Sequence, residues 1–583
     1  MNRPRIAPVL PVLPLLAACA AGSPGDLADD GTGPRTTGEP TAGDTSDAAI
    51  ADDATIVEAT LPDALACGAG FTASVAVRNR GAATWSREAG YKLGAVGDAD
   101  PFHADTRVWL PADVRVAPGE AYTFTFELTA PAQPGAYVTD WQMVREGVRW
   151  FGDAAARTVQ VTCDPATPGG LVRLEGRAMA DDDGPFNALG VTMMWAAWAY
   201  KYDRPRLEAN LQYLSERGFD YIRALGVVGD DAQEDYWDGR EIDWRWDDYE
   251  EVIAGLTDLA HDQYGLRVEW TLIGDGQKNI PDEADRYALV DTFVAIAAAR
   301  PHKVIHFELA NEAWQNGFDG EAGLAQLRDL TAHMQGASEI LVAASAPAVF
   351  GCADVQAIYG GGVGDLATIH FDRDIGQVEG PWRPVWQPWE HQFCAGVPPA
   401  TNNEPIGPGS SVAEDSDPLR LVSAAIVTYV AGLPAYVFHT DAGVRGDQDL
   451  WEMPAVDAFV HLRALLPPGL AGWDAKDAHW PDSPFVVYAG DGDQLVPDAM
   501  WVDVAAPTSG VVRAYAAVRD RSFVALPIGI LGGVTMAPRR PVRFDVFDLL
   551  SGELVDAREL AAGEMFELSG AEALLIRGEF LDG

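Results

Sequence analysis

Cysteine is scarce in this chain, and the little there is follows no metal-binding pattern. Five cysteines occur in 583 residues, none in a CxxC pair, and the ten histidines do not cluster. A zinc site of the usual spacing is therefore not expected, nor any other metal or cofactor. Positive charge is also short: 41 Lys and Arg stand against 87 Asp and Glu, a formal net charge of −46. Phosphate binding needs a basic footprint, so nucleic acid is excluded as a partner and polyanionic glycans are disfavoured. No Gly-x-Ser-x-Gly elbow stands at a strand–helix turn, which argues against serine hydrolysis. The run 419–438 invites a membrane-spanning reading, but Arg420, Gly432 and Pro434 interrupt it. With Asp417-Pro418 as a helix start, it reads as a helix, a turn and a buried strand.

What is present is apolar mass and tryptophan. Hydrophobic residues make up 48%, enough for several cores, and the length exceeds one ordinary domain. The 18 tryptophans need burial or a ligand to lie against. At the start, Arg3 and Arg5 precede an apolar stretch, 6–16, too short to anchor in a bilayer. Leu16-Ala17-Ala18-Cys19 then resembles the lipobox of bacterial lipoproteins. That resemblance implies a signal peptide over 1–19, acylation of Cys19, and export to the outer membrane or cell surface. Residues 20–53 hold almost no large apolar groups and read as a disordered tether.

Cys67, Cys163, Cys352 and Cys394 remain, and in an exported chain four cysteines point to two disulfides. Three connectivities are open. The local pairing, Cys67 with Cys163 and Cys352 with Cys394, gives each domain its own staple.

Over 54–164 short alternating strands are broken at Gly81, Pro118-Gly119 and Pro134-Gly135, the rhythm of a β-sandwich. Trp85, Trp109, Trp141 and Trp150 fall here, with Asn79-Arg80-Gly81 and Phe151-Gly152. The segment resembles the four-tryptophan Ig-like domain of autophagy receptors and bacterial surface enzymes. Its role is open between a structural spacer and a binding module.

Over 165–471 strands alternate with amphipathic helices. Strands are expected at 186–195, 221–225, 266–273, 304–311, 340–344, 366–371, 400–404 and 435–440. Eight such units make a (β/α)₈ TIM barrel with extended loops. From 472 to 583 short strands return, as a C-terminal β-sandwich whose default role is to support the barrel.

Catalytic groups of such a barrel sit at the C-terminal strand ends. There the fourth strand carries Asn311-Glu312 and the seventh Asn403-Glu404. Glycoside hydrolysis wants two carboxylates flanking the reactive carbon, about 5–5.5 Å apart for retention and about 6.5–9.5 Å for inversion. The constellation resembles the clan of retaining (β/α)₈ glycosidases that includes the family 5 cellulases and mannanases. The resemblance implies Glu312 as acid/base, Glu404 as nucleophile and Asn311 on a sugar hydroxyl. It also implies Arg223 hydrogen-bonded to the nucleophile and His370 on the substrate side. Two departures leave the family within the clan open. Asp372 stands where family 5 usually has a tyrosine, and the eighth strand offers His439 and Asp441 in place of a tryptophan.

Sugar rings stack on aromatic faces, so Trp195, Trp198, Trp270, Trp314, Trp386 and Trp389 are candidate platforms. The last two lie in the segment 376–398, read as a long functional loop. Abundant tryptophan with acidic charge points to a neutral β-linked polysaccharide or oligosaccharide. The alternative is a catalytically silent barrel serving as a glycan-binding surface lipoprotein.

Overall fold

The computed structural model of the chain describes residues 51–583, apart from 67, 104, 132–134, 163–166, 230–236, 238, 410–414, 454, 478–479, 489–512, 529–532, 571–572 and 583. The expected signal, Cys19, residues 20–50 of the tether and the Cys67–Cys163 bridge lie outside the described residues, while Asp52, near the tether's expected end, is buried and accepts from the Tyr91 hydroxyl.

In Gly70–Asn79 and Ala121–Thr129 every second side chain turns inward, as strand geometry requires of an alternating sequence. These strands join Ala54–Thr60 in one antiparallel sheet. A five-stranded sheet, built on the long hairpin Gly135–Arg145 and Arg149–Thr162, supplies the other layer. Trp85 and Trp141 are wholly buried between the layers. Trp109 lies outside with Lys92 Nζ 3.4 Å from its ring centroid, and Arg107 caps Trp150 at 4.9 Å.

The barrel follows. Its strands are β1 (Ala188–Thr192), β2 (Tyr221–Val227), β3 (Arg267–Ile273), β4 (Val304–Ala310), β5 (Val342–Ala343), β6 (Ala367–Ile369), β7 (Ala400–Asn402) and β8 (Ala435–Phe438). Every neighbouring pair is parallel, in the order β5-β4-β3-β2-β1-β8-β7-β6. The seam between β5 and β6 is bridged by the Asp365 and Leu366 amides, which donate to Val342 O at 2.8 and 3.3 Å. Seven of the eight strands fall inside their expected windows, and β2 runs two residues past its own. Helix ends follow their local chemistry: Gly265, at φ 67°, ends Tyr249–Tyr264, and the Asp417 carboxylate accepts from Leu419 N–H to start Pro418–Val430. Among the described residues no helix is long and apolar enough to cross a membrane.

A small antiparallel sheet (Arg173–Glu175, Ala178–Asp181, Gly184–Phe186) closes the barrel floor. Met179 packs there with Tyr221, Ile305 and Val437, and Asp181 pairs with Arg267 at 2.8 Å. The C-terminal segment forms two antiparallel sheets, of six and three strands, around a core of Phe485, Phe523, Phe544 and Phe566. The outer face of the larger sheet continues the barrel core through Tyr515, Ala517, Val524 and Leu526.

The segment 376–398 departs from its expected form. It folds into short helices, Ile375–Glu379, Arg383–Trp386 and a 3₁₀ stretch Gln387–Phe393. Its end is fastened by the expected Cys352–Cys394 disulfide. Trp386 lies beneath the Arg383 guanidinium, and Trp389 packs at a tilt against Tyr515 at 4.4 Å and Trp480 at 5.9 Å. Both indoles are buried, 3% and 0% exposed, so neither offers a face to a sugar. Trp389 helps to seat the C-terminal sheet on the barrel. An irregular sequence rich in tryptophan gives the same signal whether it meets a ligand or another domain.

Candidate active site

The end of β4 delivers Asn311-Glu312 and the end of β7 delivers Asn403-Glu404. One carboxylate oxygen of Glu312, one of Glu404 and one ring nitrogen of His370 lie within 4.8 Å of one another. His370 Nδ1 sits between the two acids, 3.3 Å from Glu312 Oε1 and 3.5 Å from Glu404 Oε2. Glu312 has φ 39°, the left-handed region that side chains other than glycine's avoid. The turn holding it there is braced by Ala313 N–H donating to Ser345 Oγ at 2.9 Å and by the Asn316 amide on Asn311 O at 2.8 Å. Gln315 donates to Glu312 Oε2. Backbone strain of this kind collects at functional sites.

Arg223 rises from inside β2, wholly buried. Nη1 donates to Glu404 Oε1 at 2.7 Å, and Nη2 donates to Asn311 Oδ1 and Glu308 Oε2, both at 2.8 Å. One planar guanidinium thus fixes the seventh-strand acid relative to the asparagine beside the fourth-strand acid. Burial alone would push the Glu404 carboxyl up, but His370, His439, Arg223 and Arg373 together hold it well below the usual range. His439 is itself neutral, held at about 3 because it is buried. The permanent positive charges facing Glu404 are those of the Arg223 and Arg373 guanidinium groups. His439 accepts or donates at Thr192 Oγ1, 2.9 Å from Nδ1, and its Nε2 stands 3.7 Å from Glu404.

Glu312, Glu404, Asn311, Arg223, His370 and His439 are thus brought together. Trp314 lies two residues beyond Glu312 and is 42% exposed on the rim. Trp195 and Trp270 are buried in the barrel wall. Trp198, with Tyr202 and Trp246, lines a cleft of about 580 Å³ at the ends of β2 and β3. A second cavity, of about 400 Å³, lies at the opposite end of the strands among Asp181, Asp220 and Arg267.

Several residues of the site escape a reading of strand ends. Arg373 Nη2 reaches Glu404 Oε2 at 3.5 Å, beside the position where Asp372 departs from the family pattern. Glu308 accepts from Thr271 at 2.7 Å, Thr368 at 2.6 Å and Asn403 at 3.2 Å as well as from Arg223. Burial opposes its charge, yet Arg223 and His370 with those hydroxyls keep it below the ordinary value. Glu269 and His306 complete the buried layer. The signal was present: polar residues at alternate positions inside strands that are otherwise apolar. Glu312, His370 and Glu404 have spacing that would suit a metal ion. The guanidinium groups against Glu404 already neutralise it and oppose a cation there.

Comparison with known proteins gives one family match: the Ig-like domain from next to BRCA1 gene, over residues 60–161. No curated protein matches the chain. Similar solved structures include a candidate glycoside hydrolase from Bacteroides vulgatus, 13% identical, covering 89% of this chain and 100% of that one, with a TM-score of 0.47. A family 39 glycoside hydrolase from Bacteroides cellulosilyticus is 12% identical, covering 90% and 100%, with a TM-score of 0.40. A family 5 mannosidase from Rhizomucor miehei is 12% identical, covering 46% and 85%, with a TM-score of 0.37. The barrel stands on its own strand order. Residues 60–161 are an Ig-like domain, and the chain after them forms a (β/α)₈ barrel followed by a strand-rich C-terminal region.

Proposed function

We propose that the chain is an extracellular glycoside hydrolase that cleaves β-glycosidic bonds of a neutral glycan with retention of configuration. The observation that carries the reading is the acid pair. One oxygen of Glu312 and one of Glu404 lie within 4.8 Å of each other, a close approach that suits the ~5–5.5 Å group separation of retaining enzymes better than the ~6.5–9.5 Å that admits an inverting water.

In the first step Glu404 attacks the anomeric carbon while Glu312 gives its proton to the departing oxygen. In the second, Glu312 takes a proton from water, which displaces Glu404 from the sugar. Arg223 and Arg373 keep Glu404 ionised for attack, and Asn311, held by Arg223, is placed for the neighbouring sugar hydroxyl. Trp314 on the rim is the platform this reading retains. Lipidation at Cys19 would hold the enzyme at the bacterial surface; Cys19→Ser should then move it from the membrane pellet to the soluble fraction.

A panel of neutral aryl β-glycosides tests the proposal. Glu404→Ala should abolish turnover, and azide should restore part of it as a glycosyl azide of inverted configuration. Glu312→Ala should keep activity on substrates whose leaving group needs no proton. Preferential cleavage of uronate polymers would overturn the substrate class.

A further inference from the structure

Beneath the acid pair, Arg223 faces three buried carboxylates. Glu404 and Glu308 each take a charged hydrogen bond from it, and Glu308 collects three further donors. Glu269 has no such support. Its Oε1 lies 3.3 Å from Arg223 Nε, which is donated instead to Thr271 at 3.2 Å, and neither of its oxygens has a donor in full hydrogen-bond geometry. Asn403 is close, but its amide is directed to Glu308. The remaining neighbour is His306, whose Nε2 is 3.5 Å from Glu269 Oε2 and whose ring nitrogens have no partner in full hydrogen-bond geometry. Glu269 and His306 are each 0% exposed.

The charges around this point can be counted. Arg223 is the permanent cation at this point, and its Nη atoms are already committed to the ionised Glu404 and Glu308. An ionised Glu269 would be the third carboxylate drawing on that one guanidinium, in a fully buried layer. The groups facing it are Tyr221 and Arg223 from β2, His306 and Glu308 from β4, and Asn403 and Glu404 from the end of β7. None but Arg223 is a cation.

We propose that Glu269 and His306 hold one proton between them under the nucleophile, Glu269 as the neutral carboxylic acid, so that the charge of Arg223 is left to Glu404 and Glu308. Glu269 is in this account a positioning residue that acts through Arg223. Its kinetic consequence rests on Glu404 being the nucleophile; the location of the proton does not. Burial pushes the Glu269 carboxyl up to about 8 against the pull of Arg223 and the nearby Asn403 amide, and Glu308 and Glu404 add to the push. Burial likewise holds His306 down at about 4, which keeps the imidazole neutral. When Glu269 ionises, the guanidinium is drawn toward it and its grip on Glu404 loosens. Activity should then fall on the alkaline side for a reason independent of Glu312.

Infrared difference spectroscopy of the full chain reads the proton directly. Near neutral pH the wild type minus Glu269→Gln should show the carbonyl stretch of a buried protonated carboxyl, and in the wild type that band should disappear with a midpoint near 8. If Glu269→Gln does not fold, His306→Gln should shift the band by altering the group that faces the acid. No such band, or an imidazolium signature from His306 near neutral pH, overturns the proposal. The second arm uses kcat/KM on an aryl glycoside whose leaving group needs no proton. The wild type should show an alkaline fall that Glu269→Gln lacks; an identical fall in both refutes the positioning role. If no glycoside is turned over at all, the glycosidase reading fails while the infrared band still decides where the proton lies.

Discussion

Replacing Arg223 by lysine tests the electrostatic core of the site. The native guanidinium satisfies Glu404, Glu308, Asn311 and Thr271 at once, at 2.7–3.2 Å. A single ammonium keeps the charge but not the fork, so Glu404 and Glu308 must compete for it. An adjacent guanidinium holds a carboxyl down by about 1–3 in pKa. Because Arg373 remains 3.5 Å from Glu404, the loss should lie at the lower end, about 1. The sign follows from a depressed carboxylate. Glu404 works when ionised, and its activity is lost as pH falls through its folded-state pKa. Weakening its cations moves that loss to higher pH. The acid limb of kcat/KM in Arg223→Lys should therefore rise by about 1 pH unit. Stability should fall too, by up to the ~3–5 kcal/mol that follows when one partner leaves a buried ion pair. An acid limb that does not move, in a variant that folds, would refute the claim that Arg223 keeps Glu404 ionised.

Three further outcomes can be measured on the same protein. Cys352→Ser opens a loop of 42 residues and should cost about 2–4 kcal/mol in denaturant melts of the barrel. Gly407→Ala would place a Cβ 1.7 Å from His439 O, a backbone atom that cannot step aside, so a loss of at least the ~1–3 kcal/mol of overpacking is expected with impaired turnover. Glu269 binds its proton at about 8 when folded and at the ordinary 4.5 when unfolded, so its contribution is complete below 4.5 and is lost as pH rises toward 8. That fall is on the order of 4 kcal/mol over the window, and the melting temperature of Glu269→Gln should be flatter across it.

Much of this architecture can be read from local pattern. The eight barrel strands are legible because each couples a short apolar run to a helix start or stop with its own chemistry, as at Gly265 and Asp417. Glu312 and Glu404 are legible because the barrel confines reactive groups to strand ends. What the pattern hides is tertiary. Trp386 and Trp389 look like platforms in an irregular loop until Arg383 covers the first and Tyr515 of the C-terminal sheet the second. Arg373 has no periodic signal and is recruited by the bend after β6. Glu269 and His306 lie within strands, where a charged residue reads as an exception until its neighbours across the barrel are known.

The most direct measurement is to trap the intermediate. An activated 2-deoxy-2-fluoro β-glycoside slows both steps, and a good leaving group restores the first, so the glycosyl-enzyme accumulates and can be digested and mapped by mass spectrometry. The account predicts one added sugar, on the peptide carrying Glu404, and none in Glu404→Ala. A sugar found on another acid, or turnover that releases product of inverted configuration, would contradict it.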